Sequence, residues 1–244
     1  MGRHHFFEEI VNFRDLGGYN AADGAVLKDG RVYRSSMLFG PTEHDRQKWE
    51  SLGIDTIIDL RAPKELVREP NAYADLVGRY VNVNLSGRTD AGRSSELAQS
   101  ASSPYFMSER YLEYLSAGDE LAKVFRIFLE RRDRPLVFHC SAGKDRTGVI
   151  SYLLLSLHGV PLAEIVADYQ VSYTYMKQDP RLLDPDKHLN IYVSYPEIME
   201  LFHQAFVDKY GSVEDYLRSI GLDEEEVAGL QRLLLGAAGC FEMC

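Results

Sequence analysis

Two periodicities alternate along this chain. Short apolar runs or period-two alternations, rich in β-branched and aromatic residues, mark strands at Val32-Tyr33-Arg34, at Asp55 to Leu60 around Thr56-Ile57-Ile58, at Tyr80 to Leu85 and at Pro135 to Phe138. Between and after them the apolar spacing is helical. Thr42 to Leu52 has a cap at Thr42, Asp45 at the capping-box spacing and Gly53 as a stop. Pro63 to Arg68 begins a short helix. Further helices are predicted over 104–115, 119–131, 147–158, 161–176 with Pro161 at N1, 196–210, 213–220 and 223–235. Asn12 to Asn20 reads as a turn-rich start, and Pro180 to Pro185 interrupts the helical pattern. Few strands, with helices between and after them, predict an α/β layered domain around a short central sheet. No repeat or low-complexity tract divides the chain, so 1–244 is read as a single domain. Ser86 to Ser103, rich in Ser, Gly and Ala, is a mobile loop or a lid closing over a site; with the residues after it, 86–118 forms a lid or mobile insert. Residues 236–244 read as a frayed tail.

The chemistry concentrates at His139-Cys140-Ser141-Ala142-Gly143-Lys144-Asp145-Arg146-Thr147-Gly148. A buried strand, a tight loop and a helix N-terminus follow one another there. Such a loop points backbone N–H groups at one spot, where the helix dipole adds partial positive charge. The cradle suits a phosphate, and a cysteine placed in such a cradle is favoured as the nucleophilic thiolate. A planar guanidinium grips two phosphate oxygens with its fork of donors. Cys140 is therefore the candidate nucleophile and Arg146 the clamp, with Ser141, Ala142, Gly143, Lys144, Asp145 and Arg146 as the phosphate-binding loop. Attack on phosphorus would split hydrolysis into two easier steps. The blander readings are an inert buried cysteine and a surface ion pair. Thr147 offers a hydroxyl to the departing thiolate, or caps the helix. His139 hydrogen-bonds behind the loop, or is a satisfied core histidine.

Cys140 to Arg146, followed by Thr147, matches C-x5-R-[ST], and the full string HCSAGKDRTG resembles the bacterial cysteine-dependent tyrosine and phosphoinositide phosphatase family. Asn12-Phe13-Arg14-Asp15-Leu16-Gly17-Gly18 is similar to its NFRD motif and Ile58-Asp59-Leu60-Arg61 to its DLR motif. Ala167-Asp168-Tyr169, and Tyr210-Gly211-Ser212 to Tyr216-Leu217, resemble its helical C-terminal half. The resemblance implies a tyrosine-phosphatase-like α/β/α fold with a mainly parallel sheet. It implies hydrolysis of phosphotyrosine, and of phosphoserine, phosphothreonine or phosphoinositides as well, without metal or other cofactor, with inorganic phosphate as product. It also implies Asp145 as general acid, a role worth about 10²–10⁴-fold. No WPD acid loop occurs, and the family's Asp after the strand before the lid is replaced by Leu85-Ser86-Gly87. Asp90 and Asp59 therefore stay open as acids, and Asp145 as a loop-stabilising group. Lys144 is solvated or touches substrate; in lipid-active relatives a lysine here reads extra phosphates on an inositol ring. Arg14, Asp15, Asp59 and Arg61 are expected to pair beneath or beside the loop, with lining of the cleft as the alternative. Tyr105, Tyr111, Tyr114, Tyr169, Tyr173 and Tyr175 read as helix core rather than as stackers on a substrate ring.

The net charge of −10, from 27 basic and 37 acidic residues, argues against a nucleic-acid partner but not against a local phosphate site. No apolar run approaches the roughly 18 residues of a membrane span, so stable membrane insertion is not expected. Met1 to Phe7 lacks the apolar stretch of a secretory signal, so the cytoplasm is the expected location, with export by a signal-less route left open. An odd count of three cysteines, Cys140, Cys240 and Cys244, suits a reducing compartment and offers no metal site. Two other functions compete: a phosphate-binding module without catalysis, and another thiolate enzyme such as a sulfurtransferase or an arsenate reductase.

Overall fold

The computed structural model describes residues 2–21, 24–86, 103 and 105–235. Most of the expected lid (87–102 and 104), Asp90, and the tail with Cys240 and Cys244 lie outside the described residues. The elements are β1 (Arg14–Asp15), β2 (Val32–Ser35), α1 (Glu43–Leu52), β3 (Thr56–Asp59), α2 (Pro63–Arg68), β4 (Arg79–Asn82), α3 (Phe106–Tyr114) and α4 (Gly118–Glu130). Then follow β5 (Leu136–His139), α5 (Asp145–Leu157), α6 (Leu162–Met176), α7 (Pro196–Tyr210), α8 (Val213–Ser219) and α9 (Glu224–Gln231).

Side chains alternate across a strand, and here both faces are apolar. Val32, Ile58, Leu136 and Phe138 enter one core; Tyr33, Ile57 and Val137 enter another. Both faces must be covered, and that produces the α/β/α layers. Trp49 of α1, with Phe13 and Tyr73, covers the smaller face. Side chains of α3 to α9 form the larger core, where α3 and α6 pack on α7. The strand order is β1-β2-β5-β3-β4; β1 is antiparallel to β2 and every other pairing is parallel. The register sets Ser35, His139 and Asp59 level with one another at the carboxyl edge of the sheet. That edge is where open α/β sheets place their ligands.

Several boundaries differ from the sequence reading, each for a local reason. The turn-rich start contains β1, whose two residues are too few to show a period. Pro161 is the N-cap of α6 rather than its first residue, with an extended ψ of 140°. The last helix stops at Gln231. The strand expected to reach Leu85 ends at Asn82, where its partner β3 ends; Val83 and Leu85 still donate to the carbonyls of Asp59 and Leu60. In α3, within the expected insert, Met107, Tyr111 and Tyr114 are buried in the larger core. No helix among the described residues is long and apolar enough to cross a membrane.

Buried charge ties these layers together beneath the carboxyl edge. Asp168 of α6 accepts from Arg14 Nε at 2.6 Å, from Tyr19 at 3.1 Å and from Arg34 of β2. Burial alone would raise its pKa; Arg14 and Arg34 outweigh that and hold the carboxyl well below the usual range. Asp15 turns the other way and accepts from the amides of Gly17 and Gly30. Asp168→Ala would strand two buried guanidinium groups, a change that costs about 3–5 kcal/mol in comparable cases. Urea unfolding of the variant should show a loss of that order, against a much smaller loss for a surface substitution such as Asp208→Ala.

Candidate active site

Residues 140–146 form a cup between β5 and α5, and the walls of the cup are peptide planes. Four successive carbonyls are each held on the outer side. His139 Nδ1 donates to Cys140 O at 3.1 Å, and the Met37 amide to Ser141 O at 2.9 Å. Asn12 Nδ2 donates to Ala142 O at 3.0 Å and Gly143 O at 3.1 Å, and Arg34 Nη2 to Gly143 O at 2.7 Å. No peptide bond among the described residues is cis, so each N–H lies opposite its carbonyl. The amides of Ser141, Ala142, Gly143 and Lys144 therefore face into the cup, and the N-terminus of α5 follows directly. Gly143 makes the tightest turn, at φ +66°. A Cβ there would sit 2.4 Å from Ser35 O, so no other residue fits. Asn12 also has a positive φ, 58°, which its short polar side chain tolerates.

Cys140 sits at the base of the cup, 2% exposed, and Thr147 Oγ1 donates to its Sγ at 3.1 Å. The two readings of His139 prove compatible: it is fully buried and it also bonds behind the loop. Its other nitrogen, Nε2, lies 3.3 Å from Asp59. Asp59 is in turn gripped by Arg61 Nη2 at 2.7 Å and accepts from Tyr80 at 3.0 Å. Burial opposes its ionisation, but His139 and Arg61 prevail and push its pKa well down. Asp59 and Arg61 thus pair beside the loop, and Arg14 lies beneath it, bonded to Asp168 rather than to Asp15.

Arg146 has a partner that the sequence reading missed. Glu65 of α2 accepts from Arg146 Nη1 at 2.7 Å and from Nη2 at 2.8 Å, a fork-to-fork pair. Ser141 Oγ donates to the same carboxylate, and Ser86 Oγ accepts from Nη1 at 3.1 Å. Glu65 thus occupies the end of the guanidinium and leaves the edge bearing Nε for another anion. The one signal for it in the sequence is ambiguous. It lies three residues after Ala62, the N-cap of α2, and its Oε2 accepts from the Ala62 amide at 2.7 Å, one half of a capping box that an alanine cannot complete.

The Lys144 side chain is not solvated, although the residue lines the cavity above the cup. It is fully buried, donates to Ile191 O at 2.9 Å and Val193 O at 3.2 Å, and lies 2.8 Å from Asp145 Oδ1. Asp145 opens α5 two residues earlier than the helical period suggests, and Tyr111 donates to its Oδ1 at 2.6 Å. Tyr111, Tyr114 and Tyr169 are buried; Tyr105 is exposed, and Tyr175 stacks on His4 at 3.9 Å. A cavity of about 450 Å³ opens above the cup, lined by Cys140, Asp145, Arg146 and Glu65 with Phe39 and Tyr192 on its wall.

A model of the tyrosine phosphatase family matches residues 5–236. A tyrosine-protein phosphatase of Nostoc commune is 31% identical over 88% of this chain and 77% of its own length. A relative from Cupriavidus necator is 30% identical over 94% of this chain and 89% of its own. The triple specificity protein phosphatase PtpB of Mycobacterium tuberculosis is 25% identical over 92% of this chain and 96% of its own.

Glu65→Gln keeps the shape of the brace and removes its charge. A hydrogen bond to a charged group is worth about 1.5–3 kcal/mol, so kcat/KM toward a phosphoester should fall roughly tenfold or more. The same variant should change acid stability. Burial opposes ionisation of Glu65, but Arg146 and Ser141 bring its pKa from 4.5 down to about 2. A depressed carboxylate stabilises the fold above its unfolded pKa and loses that contribution as pH falls. Between pH 4.5 and about 2, urea midpoints should therefore drop less steeply for Glu65→Gln than for the parent.

Proposed function

The chain belongs to the tyrosine phosphatase family, and on that premise we propose that it hydrolyses phosphotyrosine through a cysteinyl-phosphate intermediate. The observation that carries this reading is one cup in which Cys140 Sγ, four inward-facing amides and the free edge of a braced Arg146 converge. The amides and Arg146 hold the three equatorial phosphoryl oxygens, whose shared charge is what catalysis must stabilise. The Cys140 thiolate attacks phosphorus in line, an S–P bond forms and the ester P–O bond breaks. Asp145, on the cavity wall, gives its proton to the departing oxygen. A water then attacks phosphorus, passing a proton back to Asp145. The S–P bond breaks, Thr147 Oγ1 supports the leaving thiolate 3.1 Å away, and inorganic phosphate departs. The cup's own donors and Arg146 supply the positive charge this needs, so the reaction as proposed uses no metal.

The reading extends to phosphoserine, phosphothreonine and phosphoinositides. The name of the triple specificity relative supports breadth of this kind. Phe39 and Tyr192 suit an aryl group on the wall of the cavity. The side chain of Lys144, held by Ile191 and Val193, lends no support to a lipid preference. The convergence on Cys140 favours catalysis over a mere binding module. A nucleophile that works as a free thiol suits the reducing cytoplasm.

Phosphate release should be measured from a phosphotyrosine peptide and from phosphatidylinositol phosphate vesicles, side by side, in EDTA. Turnover of the peptide is expected, abolished by Cys140→Ser with phosphate binding retained. Turnover of vesicles alone would move the substrate class to lipids. Bound phosphate without turnover of either would return the chain to the binding-module reading.

A further inference from the structure

Asp145 Oδ1 accepts a hydrogen bond from Tyr111 Oη at 2.6 Å and forms an ion pair with Lys144 Nζ at 2.8 Å. A hydrogen bond and a cation on the same oxygen both favour negative charge on Oδ1. Oδ2 has no partner among the described residues, and Asp145 lines the cavity beside Cys140. Tyr111 has a single hydroxyl hydrogen, and Asp145 takes it. Tyr169, whose hydroxyl lies 2.8 Å from that of Tyr111, must therefore donate into it. The ring of Tyr111 is fully buried and fixed edge-on against Tyr169 at 6.0 Å and Phe202 at 5.7 Å. One side chain thus ties α3 to α6 and to the first residue of α5 through its hydroxyl, and to α7 through its ring. Burial, reinforced by the charge of Asp145, pushes the pKa of Tyr111 well above its ordinary value, so the hydroxyl stays a donor throughout the working range.

We propose that Tyr111, braced by Tyr169, is a positioning residue that makes Oδ2 of Asp145 the atom that carries the proton to and from the substrate oxygen. This rests on Asp145 being the general acid. With Oδ1 bonded by Tyr111 and facing the Lys144 cation, a protonated Asp145 holds its hydrogen on Oδ2, on the side free to meet the leaving group. Without the Tyr111 hydroxyl, Oδ1 has an open lone pair and the carboxyl can rotate. The proton is then shared between a productive and an unproductive oxygen. Lys144 alone, held also by the carbonyls of Ile191 and Val193, does not fix the plane of the carboxyl.

Tyr111→Phe removes one oxygen and keeps the ring. The test is kcat across aryl phosphates of increasing leaving-group pKa, for the parent, Tyr111→Phe, Asp145→Asn and the double variant. Tyr111→Phe should lose about tenfold for the poorest leaving groups, the scale of one hydrogen bond to a charged group, and almost nothing for the best. In the Asp145→Asn background the same change should cost nothing further. Tyr169→Phe should shift the slope in the same direction by less, and it serves as the second variant if Tyr111→Phe folds poorly. An unchanged slope in Asp145→Asn overturns the acid reading, and this proposal with it. A steepened slope in Asp145→Asn but not in Tyr111→Phe overturns the proposal alone. A uniform loss across all leaving groups in Tyr111→Phe also overturns it, since that marks general damage rather than a misplaced proton.

Discussion

The site depends on peptide planarity. An amide cannot face inward unless its carbonyl faces outward, and an outward carbonyl buried in protein must find a donor. The cup between β5 and α5 satisfies that condition four times in a row with donors from separate parts of the chain: His139, Met37, Asn12 and Arg34. The convergent N–H groups are thus a consequence of the packing behind them. This explains why residues far from the cavity in sequence belong to its construction. Asn12 needs its positive φ to reach Ala142 and Gly143, and Gly143 needs the absence of a Cβ to pass Ser35. Neither touches the cavity's contents, yet each fixes the direction of an amide that would.

The donors behind the loop are themselves held by buried charge. Arg34 donates to Gly143 O and to Asp168, so one guanidinium joins the underside of the cup to α6. Arg14 fills out the same carboxylate. Burying two cations on one anion is weak evidence of net stability, because desolvation consumes most of the attraction. Its value lies in geometry: a carboxylate gripped from several sides has one position, and so does everything hung from it. On the other flank, Asp59 does the same for His139, whose Nδ1 anchors the first carbonyl of the cup.

How much of this was legible depended on whether a residue's signal was local. The layers, the helix from Thr42 to Gly53 and the strand–loop–helix around Cys140 follow from periodicity and capping, which neighbours in sequence determine. Cys140, Thr147 and Arg146 share one loop, and their convergence is written in seven consecutive spacings. Glu65 was illegible because its partner, Arg146, lies eighty-one residues further on and nothing near Glu65 in the sequence marks the pairing. The burial of the Lys144 side chain was not legible because it rests on the carbonyls of Ile191 and Val193, roughly fifty residues on, in a stretch without periodicity. Tyr111 was rightly placed in a helix core; its hydroxyl partner is a tertiary fact with no local trace.

The acidic balance of the chain and its phosphate-shaped cup are reconciled at the same scale. Five cations in or behind the loop are paired with carboxylates: Arg146 with Glu65, Arg61 with Asp59, Arg14 and Arg34 with Asp168, and Lys144 with Asp145. Close pairing of this kind cancels much of the field a few ångströms away. What remains for a phosphoryl group is directional: inward amides, one free guanidinium edge and the dipole of α5. Such groups act over hydrogen-bond distance, where the surface charge of −10 is screened and irrelevant. Recognition then depends on whether a ligand can place three oxygens on those donors while presenting phosphorus to Cys140 Sγ. Tetrahedral phosphate offers three such oxygens; a carboxylate offers two.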